Sequence, residues 1–355
     1  MGGVFVNVNR GKRSVVLDLR SDEGAAALRE LIAEADVFIH SMRATAIAHL
    51  GFGYAEVAAL NPSIVYTNCY GYGRGGPDSN LTAYDDTIQA ECGLPSVQEQ
   101  LTGESGYVGT IIADKVAGLT ALYATMMALF HRERTGEGQE VEVAMFETMA
   151  AFMLVEHGNG AMFTPPLGPA VYPRVVAPNR KPYRTKDGRI AALVYNDKQW
   201  SAFVDAVKPP WAGEHFATLA QRAARIDEVY RLLGDTFLER TTQEWLDLLR
   251  SHDIPAAPVR TLDELFENRH LEEVASSRRS NRLTARSDSP GPLPGSRAHP
   301  DASRGPRPGS GRTPTRSSTT CVSPPRCGTR TPPRCGSKTP SVTHERPGGT
   351  RYRYP

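Results

Sequence analysis

The sequence predicts an α/β protein, with a large domain built on a doubly wound parallel sheet and a smaller α+β domain after it. Short apolar strands alternate with amphipathic helices through roughly the first 160 residues, a pattern typical of parallel sheets. A proline-rich segment follows from about residue 165, and beyond it come a hairpin, a strand and several helices. At 355 residues the chain is long enough for two such domains.

The elements of the large domain can be placed one by one. Ser21 is in position to cap a helix that has acids in its first turn. A long helix ends in basic residues and should stop at Gly136 or Gly138. We predict strands at 14–19, 36–40, 63–70 and 140–145, and helices at 21–35, 54–62, 114–133 and 146–158.

Composition sets the domain boundaries. We predict a large domain over 1–170, a small domain over 175–253, a return to the large domain over 254–275 and a disordered tail over 276–355. The tail holds 15 Arg, one Lys and 14 Pro against three acids, which leaves an acidic remainder of 25 bases and 36 acids. The tail has too little apolar surface to offset the entropy of ordering its backbone.

Two interpretations of this tail are open. It could be a basic nucleic-acid-binding segment, or it could come from out-of-frame translation of a GC-rich gene. We favour the second because the periodicity is lost abruptly at about residue 276. We therefore expect no nucleic-acid partner.

The rest of the composition points to a cytoplasmic protein. Cys69 and Cys92 are scattered through the acidic part of the chain, which is typical of a reduced compartment. The sequence has no signal-peptide pattern and no run of about 18 apolar residues, so we expect no membrane span. The histidines lack the spacing of a metal site.

One glycine-rich motif resembles a nucleotide-binding loop. The residues "GYGRGG" at 71–76 fit G-x-G-x-x-G and follow a predicted strand. In a dinucleotide-binding domain a helix opens directly after such a motif, but here Pro77 and a polar run follow. A glycine-rich connecting loop is therefore the better interpretation.

Asp114 stands at the start of the long apolar helix. It could be a plain N-cap, or it could be a nucleophile, because the helix dipole favours the ionised carboxylate in both roles. The small residues Gly109, Ala113, Ala117 and Gly118 would let a bulky ligand approach it. Spacing alone leaves both roles open.

Five blocks of sequence occur in an order that resembles a known family. They read "NRGKRSVVLDLRSDEG", "ADVFIHSMRATAIAHLGFGYAEVAALNPSIVYTNCYGYGRGGP", "AYDDTIQAECG", "IADKVAGLTALYATMMALFHRERTGEGQEVEVAMFE" and "IPAAPV". Together they resemble the family III CoA-transferases, the L-carnitine dehydratase/bile acid-inducible protein F group. The resemblance runs from about residue 5 to 275.

The resemblance implies a fold and a chemistry. It implies a Rossmann-like large domain and an acyl-CoA:carboxylate CoA-transferase that works through an aspartyl mixed anhydride and an aspartyl-CoA thioester. Asp114 in "ADKVAG" matches the catalytic aspartate. CoA and acyl-CoA would be substrates, together with a carboxylic acid, and no permanently bound cofactor is implied.

The resemblance also implies contacts to CoA. Leu17 and Arg20 match positions near the nucleotide, and Thr82, Tyr84 and Asp85 match a loop that closes over the pantetheine. At the second strand end the family usually has Asn, an aromatic residue and Arg-Pro-Gly, whereas this chain departs from that pattern. The remaining matched positions are Ser41, Met42, Arg43 and His49.

Two alternatives stay open. The α-methylacyl-CoA racemases resemble the chain in fold, but their basic His lies where this chain has Tyr84, and a tyrosine titrating near about 10 is a poor base at neutral pH. The resemblance also implies a strand–helix–strand unit before "NRGKRS" and a different C-terminal segment. An inactive gene fragment with poor solubility is therefore the other alternative.

The resemblance leaves two further points. It implies an interlocked homodimer, which we hold as an expectation. The acyl donor and acceptor are not fixed by the sequence, because acid specificity depends on the shape of the pocket.

Overall fold

A computed structural model describes residues 2–279, 326–327 and 351–352. The backbone divides into two compact units, Met1–Val176 with Thr315–Pro355, and Ala177–Pro314. The predicted disordered tail lies outside the described residues, except for the end of one helix at Arg279 and two strands of two residues each.

The first unit contains most of the predicted large domain. Its helices are α1 (Gly3–Val8), α2 (Asp22–Glu34), α3 (Ala44–His49), α4 (Tyr54–Leu60), α5 (Asp85–Glu91), α6 (Leu94–Thr102), α7 (Ile112–Thr135) and α8 (Met145–His157). Its strands are β1 (Val37–His40), β2 (Val65–Tyr70), β3 (Gln139–Ala144), β4 (Phe163–Thr164), β8 (Arg326–Cys327) and β9 (Arg351–Tyr352).

The predicted parallel sheet is present. β1 pairs with β2 and β2 with β3, both in parallel, with Val37 opposite Val65 and Val65 opposite Gln139. Two short antiparallel pairings complete the described strands of this unit, β8 against β3 and β9 against β4. The buried residues of β2 and β3, such as Val65 and Val141, form the core of the sheet.

One predicted strand is wrong. Residues 14–18 have no regular secondary structure and Leu19 lies in a turn, with no strand pairing in the described part of the chain, and Val15 and Val16 are exposed. β1 is the edge strand of the described sheet, so the segment 14–19 does not pair with it through backbone hydrogen bonds. Leu17 and Leu19 pack instead against the core beside α2.

The helix boundaries agree with the local signals. The Ser21 hydroxyl accepts a hydrogen bond from the Gly24 N–H at 3.0 Å, which makes it the predicted N-cap of α2. Gly136 is the C-cap of α7, and its φ of 76° is a left-handed conformation that glycine adopts without steric strain.

α7 is long and apolar enough to cross a membrane by length and composition, although the sequence has no unbroken apolar run of that length. One such helix is weak support for a span, because a core helix of an α/β protein has the same composition. The face of α7 that carries Ala117, Ala121, Thr125 and Ala128 is buried, and the helix packs against β2, β3 and α8. This packing buries one face of α7, and 28% of its most apolar window is buried in all.

The second unit is a small α+β structure. It contains β5 (Tyr183–Arg184), β6 (Arg189–Ala192), α9 (Asp197–Val207), α10 (Leu219–Ala224), α11 (Ile226–Phe237), α12 (Thr242–Ser251), β7 (Ala256–Pro258), α13 (Leu262–Phe266) and α14 (Arg269–Arg279). Its three strands form an antiparallel sheet in the order β5-β6-β7. Phe203, Phe237 and Trp245 are fully buried in its core.

The segment 254–275 differs from our expectation. We expected it to return to the large domain, but β7 pairs with β6 and the segment belongs to the second unit. Ile254 is buried in the core of that unit, and backbone hydrogen bonds from Leu193 to Pro255 and from Val259 to Arg189 hold the strand there.

Candidate active site

The site is built at the carboxyl edge of the parallel sheet. In open α/β sheets, ligands bind outside the carboxyl ends of the strands. α7 returns the chain from this edge to the start of β3, so its N-terminal turn and Asp114 lie at this edge. Burial, together with the nearby Asp114 carboxylate, raises the pKa of the Cys69 thiol near the end of β2 to about 12.

Asp114 is the third residue of α7 and is not its N-cap. The N-cap position is occupied by Ile111, which has no polar side chain to offer. From the sequence, Asp114 could have been a plain N-cap. In the structure another residue, Asp85, accepts hydrogen bonds from the first amides of α7. The Asp114 side chain is exposed.

Asp85 caps α7 from another helix. Its Oδ1 accepts hydrogen bonds from the N–H groups of Ala113, at 2.7 Å, and Asp114, at 3.1 Å. Its Oδ2 accepts a hydrogen bond from the Gln89 side chain at 2.6 Å. Because Asp85 is the first residue of α5 and is buried, it does not lie on the loop where we placed it.

Sequence reasoning missed Gln89. It is buried one turn after Asp85 on α5, and its Oε1 accepts a hydrogen bond from the Val108 N–H at 3.0 Å. The spacing of four residues puts both polar side chains on one helix face, which was the available signal.

The pKa of Asp114 is raised, first by partial burial of the carboxyl and then by the negative charge of Asp85. From the sequence we expected the helix dipole to favour the ionised form. That expectation did not include the partial burial of the carboxyl or the charge of Asp85, both of which favour the protonated form. Two acids therefore meet at one helix end, one buried and hydrogen-bonded and one exposed.

The predicted CoA-binding residues after β1 lie at the same edge of the sheet. Ser41 and Arg43 are exposed, while Met42 is half-buried and packs against the core beside α2. The Met42 N–H donates to His40 Nδ1 at 3.2 Å. His49 is exposed at the end of α3, which begins directly after Arg43.

The other predicted CoA-binding residues are mostly exposed. Arg20 forms an ion pair with Asp18, with 2.9 Å between Nε and Oδ1, so a phosphate there would compete with a carboxylate. Leu17 is half-buried against the core. Thr82 is exposed, and Tyr84 is 72% exposed just before α5, where its N–H donates to the Thr87 hydroxyl.

The glycine-rich motif is a tethered loop, as expected. No helix opens after it until Asp85. A side chain at Gly71 would meet the Ala83 Cβ at 2.2 Å, which requires glycine there. The N–H groups of Gly73 and Arg74 donate to Glu147 and Glu142, and Arg74 Nη2 contacts Glu140 Oε1 at 2.8 Å.

A cavity of about 680 Å³ opens beside this loop. Its apolar walls come from α7 and α8, including Tyr123 and Phe152, and its polar end carries Arg74, Glu142 and Glu147. None of the predicted site residues is among the described residues that line it. It is therefore separate from the carboxylate pair.

The sequence profile of CoA-transferase family III matches residues 1–314. The chain belongs to CoA-transferase family III. It is 30% identical to a succinate–glutarate CoA-transferase from Agrobacterium fabrum over 266 residues, which is 73% of this chain and 65% of the relative. It is 29% identical to an acetyl-CoA:oxalate CoA-transferase from Acetobacter aceti, over 72% of this chain and 66% of the relative.

Two solved structures have a fold similar to that of this chain. A CAIB/BAIF family protein from Brucella suis superposes with a TM-score of 0.60 and 28% identity, over 75% of this chain and 71% of that chain. The protein Rv3272 from Mycobacterium tuberculosis gives a TM-score of 0.64 and 25% identity, with the same coverage. The chain spans less than two thirds of the length of the Agrobacterium relative.

Proposed function

We propose that this family III chain is an acyl-CoA:carboxylate CoA-transferase whose nucleophile is Asp114. The observation that carries the proposal is the contrast between the two carboxylates at the start of α7. Both oxygens of Asp85 accept hydrogen bonds from protein donors, whereas the Asp114 side chain is exposed at the carboxyl edge of the sheet. Asp114 is therefore the carboxylate that a thioester can reach.

The reaction requires four balanced steps. The ionised Asp114 attacks the thioester carbonyl, which expels CoA thiolate and forms a mixed anhydride. The thiolate then attacks the Asp114 carbonyl, which releases the first acid as its carboxylate and leaves an aspartyl-CoA thioester. The acceptor carboxylate attacks this thioester to form a new anhydride. The expelled thiolate attacks the acyl carbonyl of that anhydride, which completes the new acyl-CoA and frees Asp114.

The first turn of α7 does not supply the donors for the oxyanions. Its N–H groups at Ala113 and Asp114 bond to Asp85, and those at Ile112 and Lys115 bond to backbone carbonyls. Each tetrahedral intermediate therefore needs donors from outside this turn. α7 orients the nucleophile rather than stabilising the charge that develops on the substrate.

Exposed basic side chains support CoA as the carrier. Arg43 follows β1 at the carboxyl edge of the sheet, and Arg20 and His49 are also exposed. Guanidinium groups are well suited to phosphate oxygens because their N–H donors form paired hydrogen bonds. We propose that these residues bind the phosphates of CoA.

The relatives suggest the first acids to test. Their names include succinate, glutarate and oxalate, all of them dicarboxylic acids. We propose succinyl-CoA as a donor and glutarate as an acceptor. We also propose that the protein is a homodimer and that it is located in the cytoplasm. Sedimentation of the purified chain measures the oligomeric state directly.

The test is to trap the covalent intermediate. The protein is incubated with succinyl-CoA, treated with hydroxylamine, and its peptides over 106–133 are analysed by mass spectrometry. We expect modification of Asp114 in the wild type and none in Asp114→Asn, with a fall in CoA transfer of about a thousandfold or more, as for loss of an essential catalytic group.

The control is Asp263→Asn, which changes an exposed acid in the first turn of α13 and should leave adduct and turnover unchanged. A wild-type protein that forms no adduct with any acyl-CoA contradicts the proposal. Uptake of deuterium at the α-carbon of the acyl group, without CoA transfer, would support the racemase alternative instead.

A further inference from the structure

We infer that Asp85 and Gln89 are positioning residues, which hold the start of α7 and thereby orient Asp114, rather than residues that contact CoA. The inference rests on the proposed role of Asp114 as nucleophile. It assigns to Asp85 a role different from the pantetheine contact that the family resemblance implied.

The first observation is that the pair is buried and fully engaged. Asp85 is 7% exposed and Gln89 is 1% exposed. Asp85 Oδ1 accepts from two backbone N–H groups and Oδ2 accepts from Gln89. A carboxylate with both oxygens occupied inside the protein has little left to offer a ligand.

The second observation is that α7 has no cap of its own. The first N–H groups of a helix have no partners within the helix, and a polar N-cap side chain usually satisfies one of them. Ile111 cannot do so, and the Ala113 N–H is buried. Asp85 replaces the missing cap from α5, and its negative charge also suits the positive end of the helix dipole.

The third observation links the pair to the segment that leads into α7. Gln89 donates to Asp85 and accepts from the Val108 N–H, so it connects the segment before α7 to the carboxylate that caps the helix. One face of α5 therefore fixes the approach segment and the first turn together. An error in that turn would move the Asp114 carboxylate directly.

The charge of Asp85 should have a measurable effect on the titration of Asp114. The groups that face Asp114 are Asp85 from α5 and the Cys69 thiol from β2, while Lys115 on α7 bonds to the Thr110 hydroxyl. The pKa of Asp114 is raised by partial burial and by Asp85. Removing the Asp85 charge while keeping its shape should therefore lower that pKa.

Asp85→Asn and Asp85→Ala separate the two contributions. Asn caps a helix about as well as Asp. We expect Asp85→Asn, whose Oδ1 still accepts from the Ala113 and Asp114 amides but whose Nδ2 cannot accept from Gln89, to protect these amides better than Asp85→Ala does. It should also move the ¹³C NMR titration of the Asp114 carboxyl, and the acid limb of the pH–rate profile, to lower pH. We expect Asp85→Ala to speed hydrogen exchange at these amides by roughly five- to thirtyfold and to slow adduct formation.

The matched control is Thr241→Ala, which removes the cap of α12 in the second unit. It should speed exchange at the Glu244 amide and leave the Asp114 titration and the adduct unchanged. If Asp85→Asn leaves the titration where it was, or Asp85→Ala leaves exchange unchanged, the inference is wrong. The Asp114 titration and the amide exchange can both be measured without turnover. A wild-type protein that forms no adduct therefore contradicts the proposed nucleophile, whereas unchanged titration or exchange in the Asp85 variants contradicts the positioning role.

Discussion

The interiors of the two units are built differently. Within the described residues, the second unit is packed with large aromatic side chains, such as Phe203, Phe237 and Trp245, and buries only three polar or charged residues, Thr185, Arg222 and Thr236. The first unit buries eight, namely His40, Asn61, Thr67, Asn68, Asp85, Gln89, Thr125 and His157. Buried polar groups must be hydrogen-bonded to be tolerated. The interior of the first unit therefore holds polar side chains in fixed orientations, whereas the interior of the second unit buries more apolar surface.

The long helices show the same difference. α11 and α12 turn their large side chains inward, with Leu233, Phe237 and Trp245 buried. α7 turns alanines and Thr125 inward, and its large apolar residues are exposed in the described structure: Leu119, Leu122, Tyr123, Met126, Met127 and Phe130. Small inward residues let the backbone of α7 approach the sheet closely. The stability of α7 therefore depends little on its own largest side chains.

The largest expected effect on stability is in the second unit. Trp245 is fully buried, donates its indole N–H to the Phe237 carbonyl at 2.8 Å and packs against Phe203 and Phe237. We expect Trp245→Ala to lower the free energy of unfolding by about 3–5 kcal/mol, because it leaves a cavity and an unpaired carbonyl. Denaturant unfolding measures this. A loss below about 1 kcal/mol would mean that the aromatic core is not the main support of this unit.

The next effect belongs to the polar interior of the first unit. Burial lowers the pKa of His40 to about 4 from its ordinary value of 6.5. Its Nδ1 accepts from the Met42 N–H, so Nε2 carries the proton and donates to the Tyr66 hydroxyl, which donates to the Phe52 carbonyl. A neutral histidine is therefore built into a buried chain of hydrogen bonds.

This geometry sets the direction of a pH effect. Above about pH 6.5 His40 is neutral in both the folded and the unfolded protein. As the pH falls toward about 4, His40 binds a proton in the unfolded chain but not in the folded chain. His40 should therefore remove about 3 kcal/mol of stability over that window. Urea unfolding at several pH values measures the slope, which should be reduced in His40→Asn and retained in His215→Asn, where the histidine is exposed. An equal slope in all three proteins would contradict the prediction.

The smallest expected effect is on the outer face of α7. Leu122 and Met126 are 61% and 55% exposed. We expect Leu122→Gln with Met126→Gln to change the free energy of unfolding of the protomer by no more than about 0.5 kcal/mol per site. Ala121→Leu is the matched control on the buried face, and overpacking there should cost about 1–3 kcal/mol. If the outer pair proves as costly as the buried one, this face is covered in solution, and sedimentation would show whether a second copy covers it.

Much of the fold could be predicted because its signals are local. Ser21 and Gly136 mark the ends of their helices whatever surrounds them, and the alternation of strands and helices predicts the parallel order of β1, β2 and β3. The segment 14–19 has the same local pattern but finds no partner strand among the described residues, and β7 joins the second sheet through hydrogen bonds that no local pattern encodes. Pairing depends on which edge is available, which is a property of the assembled chain.

The sequence by itself determined the family, the long apolar helix with an acid near its start, and the glycine-rich loop, because each depends on residue types at fixed spacings. Only the tertiary structure decided which of the two carboxylates is buried and hydrogen-bonded and which is exposed. Asp85 and Asp114 are 29 residues apart, and their hydrogen bond and charge interaction exist only because α5 packs against the start of α7. The cap of α7 and the direction of the Asp114 pKa shift are therefore properties of that packing.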